Sequence, residues 1–134
     1  MKKPKKKTIT TSRLKKKAWV LFSQWIRYHN SKNGLSKCVT CGVWKPWKEL
    51  QAGHFIPGRH NSILFDERGV HPQCYHCNVG LKGNPRAYDK YMRETYGNLV
   101  VTELEMLDQR TKSFKPYELE ALIDIYTLKL KEVV

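Results

Sequence analysis

Four cysteines fall as two tight pairs, Cys38-Val39-Thr40-Cys41 and Cys74-Tyr75-His76-Cys77. Each Cys-x-x-Cys turn presents two thiolates to one ion, and the two turns together make a complete tetrahedral set for zinc. A closed set leaves no open coordination position, so such a zinc is structural and does not activate water. Redox-active thiol pairs are the alternative. They fit poorly, because neither pair sits at the strand-to-helix junction of a βαβ unit. His54, His60 and His71 lie between the pairs, and Asn78 directly follows Cys77. The metal would therefore tie together the two ends of the segment richest in titratable side chains. Residues 38–78 are the expected working part of the molecule.

The elements that must hold this segment can be read from periodicity. Ser12 is the expected N-cap of a helix running to about Asn30, with Leu14, Ala18, Leu21, Phe22, Trp25 and Ile26 as its buried stripe. Gly34 ends it. Trp44 to Lys48 reads as a loop, with Trp44 and Trp47 shielding the first knuckle. Leu50 to Ile56 reads as a short strand, and a second is expected near Gly69-Val70-His71. Between them, Pro57 to Arg68 forms a long loop, and long loops in small domains often carry function. A short helix over Tyr75 to Lys82 follows the second knuckle. Asn84 caps the next helix, with Pro85 in its first turn and Gly97 past its end. Thr102 caps a helix over 103–112. Pro116 starts a last one with the stripe Leu119, Leu122, Ile123, Tyr126 and Leu130. These C-terminal helices carry no catalytic grouping and read as packing or dimerising elements.

Charge is unevenly spread. The chain has 134 residues and a formal net charge of +13. No acidic residue precedes Glu49, so residues 1–48 hold 14 Lys or Arg and carry +14, while the remainder carries −1. A polyanionic partner such as nucleic acid is the simple reading, through salt-sensitive phosphate contacts. The bland alternative is a solvated tail. A membrane surface fits less well, since no apolar anchor accompanies the lysines. Residues 1–11 are too charged to pack and read as a flexible basic tail, with 12–134 as a single domain. No secretory signal is visible and the thiols are paired for metal, so a cytoplasmic setting is expected.

At a finer level, Gly53-His54-Phe55-Ile56, then Phe65 to Cys74, then Cys77-Asn78, Gly83-Asn84 and Tyr88 resemble the phage NinG (Rap) recombination-protein family. The resemblance covers about residues 36–97. That family belongs with the HNH-type nucleases and is similar in layout to the recombination endonuclease VII type of Holliday-junction resolvase. The implied fold is α+β, a zinc-stapled ββα-metal (HNH-like) nuclease core with added N- and C-terminal helices. The implied activity is metal-dependent DNA endonuclease action on branched recombination intermediates, Holliday junctions or D-loops, in the cytoplasm of a phage-infected host cell.

Carried over by position, His54 is the general base and Asn78 a ligand of a catalytic Mg²⁺ or Mn²⁺. The chemistry is coherent, because histidine's ordinary pKa suits deprotonation of water near neutrality. Many members of the wider group have a metal-binding aspartate just before the base, where this chain has Gly53. His71 is the first candidate to complete the ion's ligands, with Asp66 and His60 behind it. A hydrogen bond to the knuckle or to Asn78 is the alternative role for His71. Lys15, Lys16, Lys17, Arg59, Lys82 and Arg86 are the expected DNA contacts. Symmetric cutting of a four-way junction needs two sites, so a homodimer is a reasonable expectation, with the C-terminal helices as its candidate interface. The rival expectation is a non-catalytic zinc-finger DNA-binding accessory protein. An RNA-binding zinc protein is a third.

Overall fold

A computed structural model describes residues 10–133. Most of the expected basic tail therefore lies outside the described residues. The tail's last two residues do not belong to it. Thr10 caps the first helix, α1 (Thr11–Tyr28), its hydroxyl accepting from the Arg13 N–H at 3.2 Å. The cap is thus Thr10 rather than Ser12. Three hydroxyl residues in a row offer the same chemistry, and the first of them has the extended backbone a cap needs. Leu14, Ala18, Phe22 and Ile26 are buried at four-residue steps, as the sequence predicts.

The first knuckle is a chain reversal. The Gly42 N–H donates to the Cys38 carbonyl at 2.9 Å, and the Cys38 N–H donates to the Val43 carbonyl at 2.9 Å. Gly42 has a φ of +83°, which a residue with a Cβ adopts only under strain. The chain returning from this turn pairs with the chain entering it. Hence β1 (Leu35–Lys37) and β2 (Trp44–Pro46) form an antiparallel ladder, and a 3₁₀ turn follows at Trp47–Glu49. The expected loop at 44–48 is therefore half strand. Nor do its tryptophans shield the cysteines. Trp47 sits edge-on against Tyr28 with Arg27 over its ring, and Trp44 is half exposed. Leu50 packs among Cys38, Cys74 and Cys77 instead.

The second sheet is a hairpin of β3 (Gln51–His54) and β4 (Val70–Gln73), with Gly53 opposite His71 and His54 opposite Val70. Strand alternation gives its two faces different work. Ala52, His54 and Val70 face α1, where Val70 joins Phe22, Ile26 and Tyr126 in one core cluster. Gln51, Gly53, His71 and Gln73 face the second knuckle and α2 (Pro85–Tyr96). The Val39 N–H donates to the Pro72 carbonyl at 3.0 Å, which ties the two sheets together.

Beyond Cys74 the chain makes one wide π-type turn, His76–Gly80, shorter than the expected helix over 75–82. Asn84 precedes α2 in the left-handed region and makes no side-chain cap bond; its amide lies 3.6 Å from the Cys77 sulfur. Gly97, at φ +89°, ends α2 and immediately begins α3 (Asn98–Asp108). The expected cap at Thr102 is thus mid-helix. The corner closes early because Val101 and Leu104 pack against Tyr88 and Met92. The final helix, α4 (Pro116–Val133), lies on α1 with Leu119 and Tyr126 buried. Leu119 and Tyr126 of the expected stripe are therefore used within the chain. Among the described residues, no helix is long and apolar enough to cross a membrane.

Candidate functional site

The sulfurs of Cys38, Cys41, Cys74 and Cys77 all lie within 4.8 Å of one another, and Cys41 and Cys74 are 3.7 Å apart. A tetrahedral zinc with bonds of about 2.3 Å needs sulfurs about 3.8 Å apart. The donor set therefore suits zinc, and no disulfide joins any pair. The local field is uneven. Burial acts to raise the Cys38 thiol, but hydrogen bonds from Thr40 and nearby backbone bring it down to about 6. Burial and sharing of its proton with the neighbouring sulfurs push Cys41 up to about 12. One dication in the middle would make all four thiolates.

His54 ends β3. Its Nε2 lies 3.2 Å from the Leu64 carbonyl, and its ring stacks on Trp19 of α1 at 5.2 Å and 17°. A carbonyl only accepts, so Nε2 carries the proton and Nδ1 is left as the basic nitrogen. Burial holds the ring's pKa below its ordinary value; the Leu64 carbonyl opposes this and the Arg59 charge adds to it. The imidazole is therefore neutral, and able to take a proton, at neutral pH. Trp19 also carries the Arg59 guanidinium, 4.3 Å from its ring centre.

Trp19 and Arg59 help line a polar cleft of about 390 Å³, together with Ser23, Arg27, Leu50, Gln51, Ala52 and Asn78. His54 does not line this cleft itself; it stacks on Trp19, which does. No acidic residue lines it. Arg27 is half buried, tethered to the Ser23 carbonyl and hydroxyl at 3.1 Å and lying over Trp47. Burial lowers its pKa. Among the described residues, neither Arg27 nor Arg59 forms an ion pair with a carboxylate. Two guanidiniums without carboxylates give this polar cleft a set of donors that matches an anion such as phosphate in geometry and charge. Lys16, Lys17, Lys82 and Arg86 are exposed and Lys15 is half-buried.

Asn78 reaches the cleft from the wide turn after the second knuckle, its Nδ2 donating to Gln51 Oε1 at 2.6 Å. The expected partner, His71, is elsewhere engaged. The Tyr88 hydroxyl gives its proton to the Gly53 carbonyl at 2.7 Å and so accepts from His71 Nδ1 at 3.0 Å. His71 Nε2 then accepts from the Tyr96 hydroxyl at 2.8 Å. Both ring nitrogens are used and the residue is buried, so the metal-ligand role expected for His71 is corrected to that of a core histidine. The alternative bond to the knuckle or to Asn78 is not made either. His60 pairs with Asp108 at 2.6 Å, and Asp66 holds Arg68 at 2.8 Å, so neither completes a set with Asn78.

His71 yields a test. Burial, helped by the nearby His29, lowers its pKa to about 4. The unfolded ring takes up a proton below about 6.5, while the folded ring does not until about 4. Its contribution is thus complete above pH 6.5 and declines as pH falls. Stability measured by urea unfolding should drop by about 2 kcal/mol more between pH 7 and 5 in wild type than in His71→Phe. Parallel pH slopes would contradict the buried neutral ring.

The fold and the site define a mixed α and β protein with small antiparallel sheets and a four-cysteine cluster suited to zinc. Over residues 1–134 the sequence matches the family model for Bacteriophage Lambda NinG protein, and the chain belongs to that family. It is 31% identical over 97 residues to protein ninG of Salmonella phage P22, covering 72% of this chain and 47% of that protein. It is 30% identical over 97 residues to protein ninG of Escherichia phage 933W, with the same coverage. The chain thus spans about half the length of the curated relatives it matches. No solved structure matches.

One participant escapes a reading by residue type. Trp19 lies outside the stripe read for the first helix, and its part appears only when β3 is placed against α1.

Proposed function

We propose that this chain is a metal-dependent DNA endonuclease acting on branched recombination intermediates. The observation that carries the reading is the His54 imidazole, held neutral with Nδ1 free, beside a cleft that presents Arg27, Arg59 and Asn78. A β-hairpin leading through a cysteine knuckle into a helical turn also has the order of a ββα-metal core. In this reading Arg27 and Arg59 grip the phosphate, and Nδ1 of His54 takes a proton from the attacking water. The Leu64 carbonyl and Trp19 fix the ring's angle. A Mg²⁺ or Mn²⁺ ion, when bound at Asn78, supplies positive charge for the leaving 3′ oxygen. The basic N-terminal half binds flanking phosphates, and branched DNA is the substrate implied by the family resemblance.

The deciding experiment uses a fluorescently labelled four-way junction and matched duplex with Mg²⁺. Nicking of the junction in preference to the duplex is the expected result. Tight binding with no cleavage of any DNA would leave the non-catalytic accessory role standing. A stronger response to RNA competitor than to DNA would favour the RNA-binding reading.

The tail has its own prediction, set by lysines outside the described residues. Deleting residues 2–7 removes Lys2, Lys3, Lys5, Lys6 and Lys7 and leaves the Thr10 cap intact. The slope of log affinity against log salt should become shallower by several units, at about 0.9 per phosphate contact. An unchanged slope would mean the lysines are idle.

A further inference from the structure

The wide turn after the second knuckle carries an exposed apolar patch. Tyr75 is 63% exposed, Val79 47% and Leu81 44%. Singly exposed apolar side chains are ordinary, but three clustered on one turn call for a reason. The turn itself is tightly held. The Asn78 N–H donates to the Cys74 carbonyl at 2.9 Å, the Leu81 N–H to the His76 carbonyl at 2.7 Å and the Gly83 N–H to the Cys77 carbonyl at 2.9 Å. Cys74 and Cys77 are buried at its root. A four-residue step puts Tyr75 and Val79 side by side on the turn. Asn78, between them in the chain, lines the polar cleft that also holds Arg27 and Arg59. One backbone turn thus sends cysteines inward, an amide to the cleft and an apolar ridge to solvent.

The charge around the ridge selects what it meets. No acidic residue stands between Glu67 and Asp89. Lys82 and Arg86 are exposed just beyond the turn, and among the described residues neither forms an ion pair. Cations without carboxylates beside an apolar ridge match nucleic acid, which offers phosphates outside and base faces inside. A protein partner fits less well, because a stable one covers about 800 Å² on each side and three side chains fall far short of that. Continuous duplex fits less well too, since its base faces are stacked on one another and only edges are open. Base faces come free where the stack is broken, at a branch point or an unpaired base. We propose that Tyr75 and Val79 form a wedge that stacks on the base pair left open at a DNA branch point, while the neighbouring cleft takes a phosphate. The inference rests on the branched-DNA reading and says which residues of this chain tell a junction from plain duplex. Leu81 widens the ridge, and Lys82 and Arg86 hold the flanking phosphates.

The test uses the zinc-loaded full chain without added Mg²⁺, on a four-way junction with 2-aminopurine beside the branch point and a matched duplex. Wild type should bind the junction more tightly than the duplex and change the 2-aminopurine fluorescence of the junction alone. Tyr75→Ala with Val79→Ala should weaken junction binding by about tenfold or more, the usual worth of a lost base stack. It should also abolish the fluorescence change and leave duplex binding as it was. The salt slope on the junction should stay at its wild-type value, because no phosphate contact is lost. Tyr75→Trp, which keeps a stacking ring, should retain the preference. Zinc content and thermal melting check the fold, and Tyr75→Ser alone is read in place of a double variant that loses zinc. A variant without both side chains that prefers the junction as wild type does overturns the wedge. So does a wild type with equal affinity for junction and duplex, or a ridge whose loss only turns a dimer into monomers. Junction nicking that ignores Tyr75 and Val79 would remove the wedge and leave the nuclease; the expected binding pattern without nicking would do the reverse.

Discussion

Removing metal from the four-cysteine cluster should abolish the cooperative unfolding transition of the central segment. The cluster joins the turn after β1 to the turn after β4, and the apolar residue buried with it is Leu50. Each sheet has only two strands. Two-stranded sheets are marginal alone, so this region depends on its crosslink. A zinc held by four thiolates contributes on the order of 10 kcal/mol or more of apparent folding free energy near neutral pH. That is comparable to the whole stability of a domain of this size. We expect one zinc per chain, and expect Cys38→Ser or Cys74→Ser to lose both the zinc and the near-ultraviolet dichroism. Part of the helical signal should survive, because α1 and α4 pack on each other through Phe22 and Tyr126. A metal-free protein with an unchanged melting temperature would show that the cysteines are close without being crosslinked.

How much of this was legible beforehand depends on the kind of signal. The cysteine spacing states its chemistry in residue type, and the cluster forms as read. The α1 stripe and the Pro85 and Pro116 starts are legible because local periodicity and proline geometry decide them. The Thr102 cap fails because tertiary contact overrides it: burying Val101 and Leu104 against Tyr88 starts α3 directly at the Gly97 corner. His71 fails for another reason. Its place on β4 opposite Gly53 is right, but its role depends on two tyrosine hydroxyls from α2, which no strand pattern reveals. The ridge of Tyr75 and Val79 lies beyond sequence reading altogether. Its interest comes from exposure beside the cleft, and exposure is decided only in three dimensions.

Replacing His54 with alanine should lower junction nicking by about 10²- to 10⁴-fold, the usual worth of a positioned general base. Affinity for the same junction should change little, since the phosphate contacts proposed above come from Arg27, Arg59 and the lysines. Zinc content should not change, because His54 points to α1 and away from the cysteines. Loss of the Trp19 stack is a structural side effect, so His54→Gln is the better second variant; it keeps bulk and a hydrogen bond but has no basic nitrogen. The pH profile separates the roles further. Burial keeps His54 deprotonated below its ordinary value. Nicking by wild type should therefore hold steady from neutrality down past about pH 6.5 and fail only in more acid solution, as the ring gains its proton. In His54→Gln that acid limb should be missing from the residual rate. Equal nicking by wild type and both variants would take the imidazole out of the chemistry and leave the cleft as a place that holds DNA without cutting it.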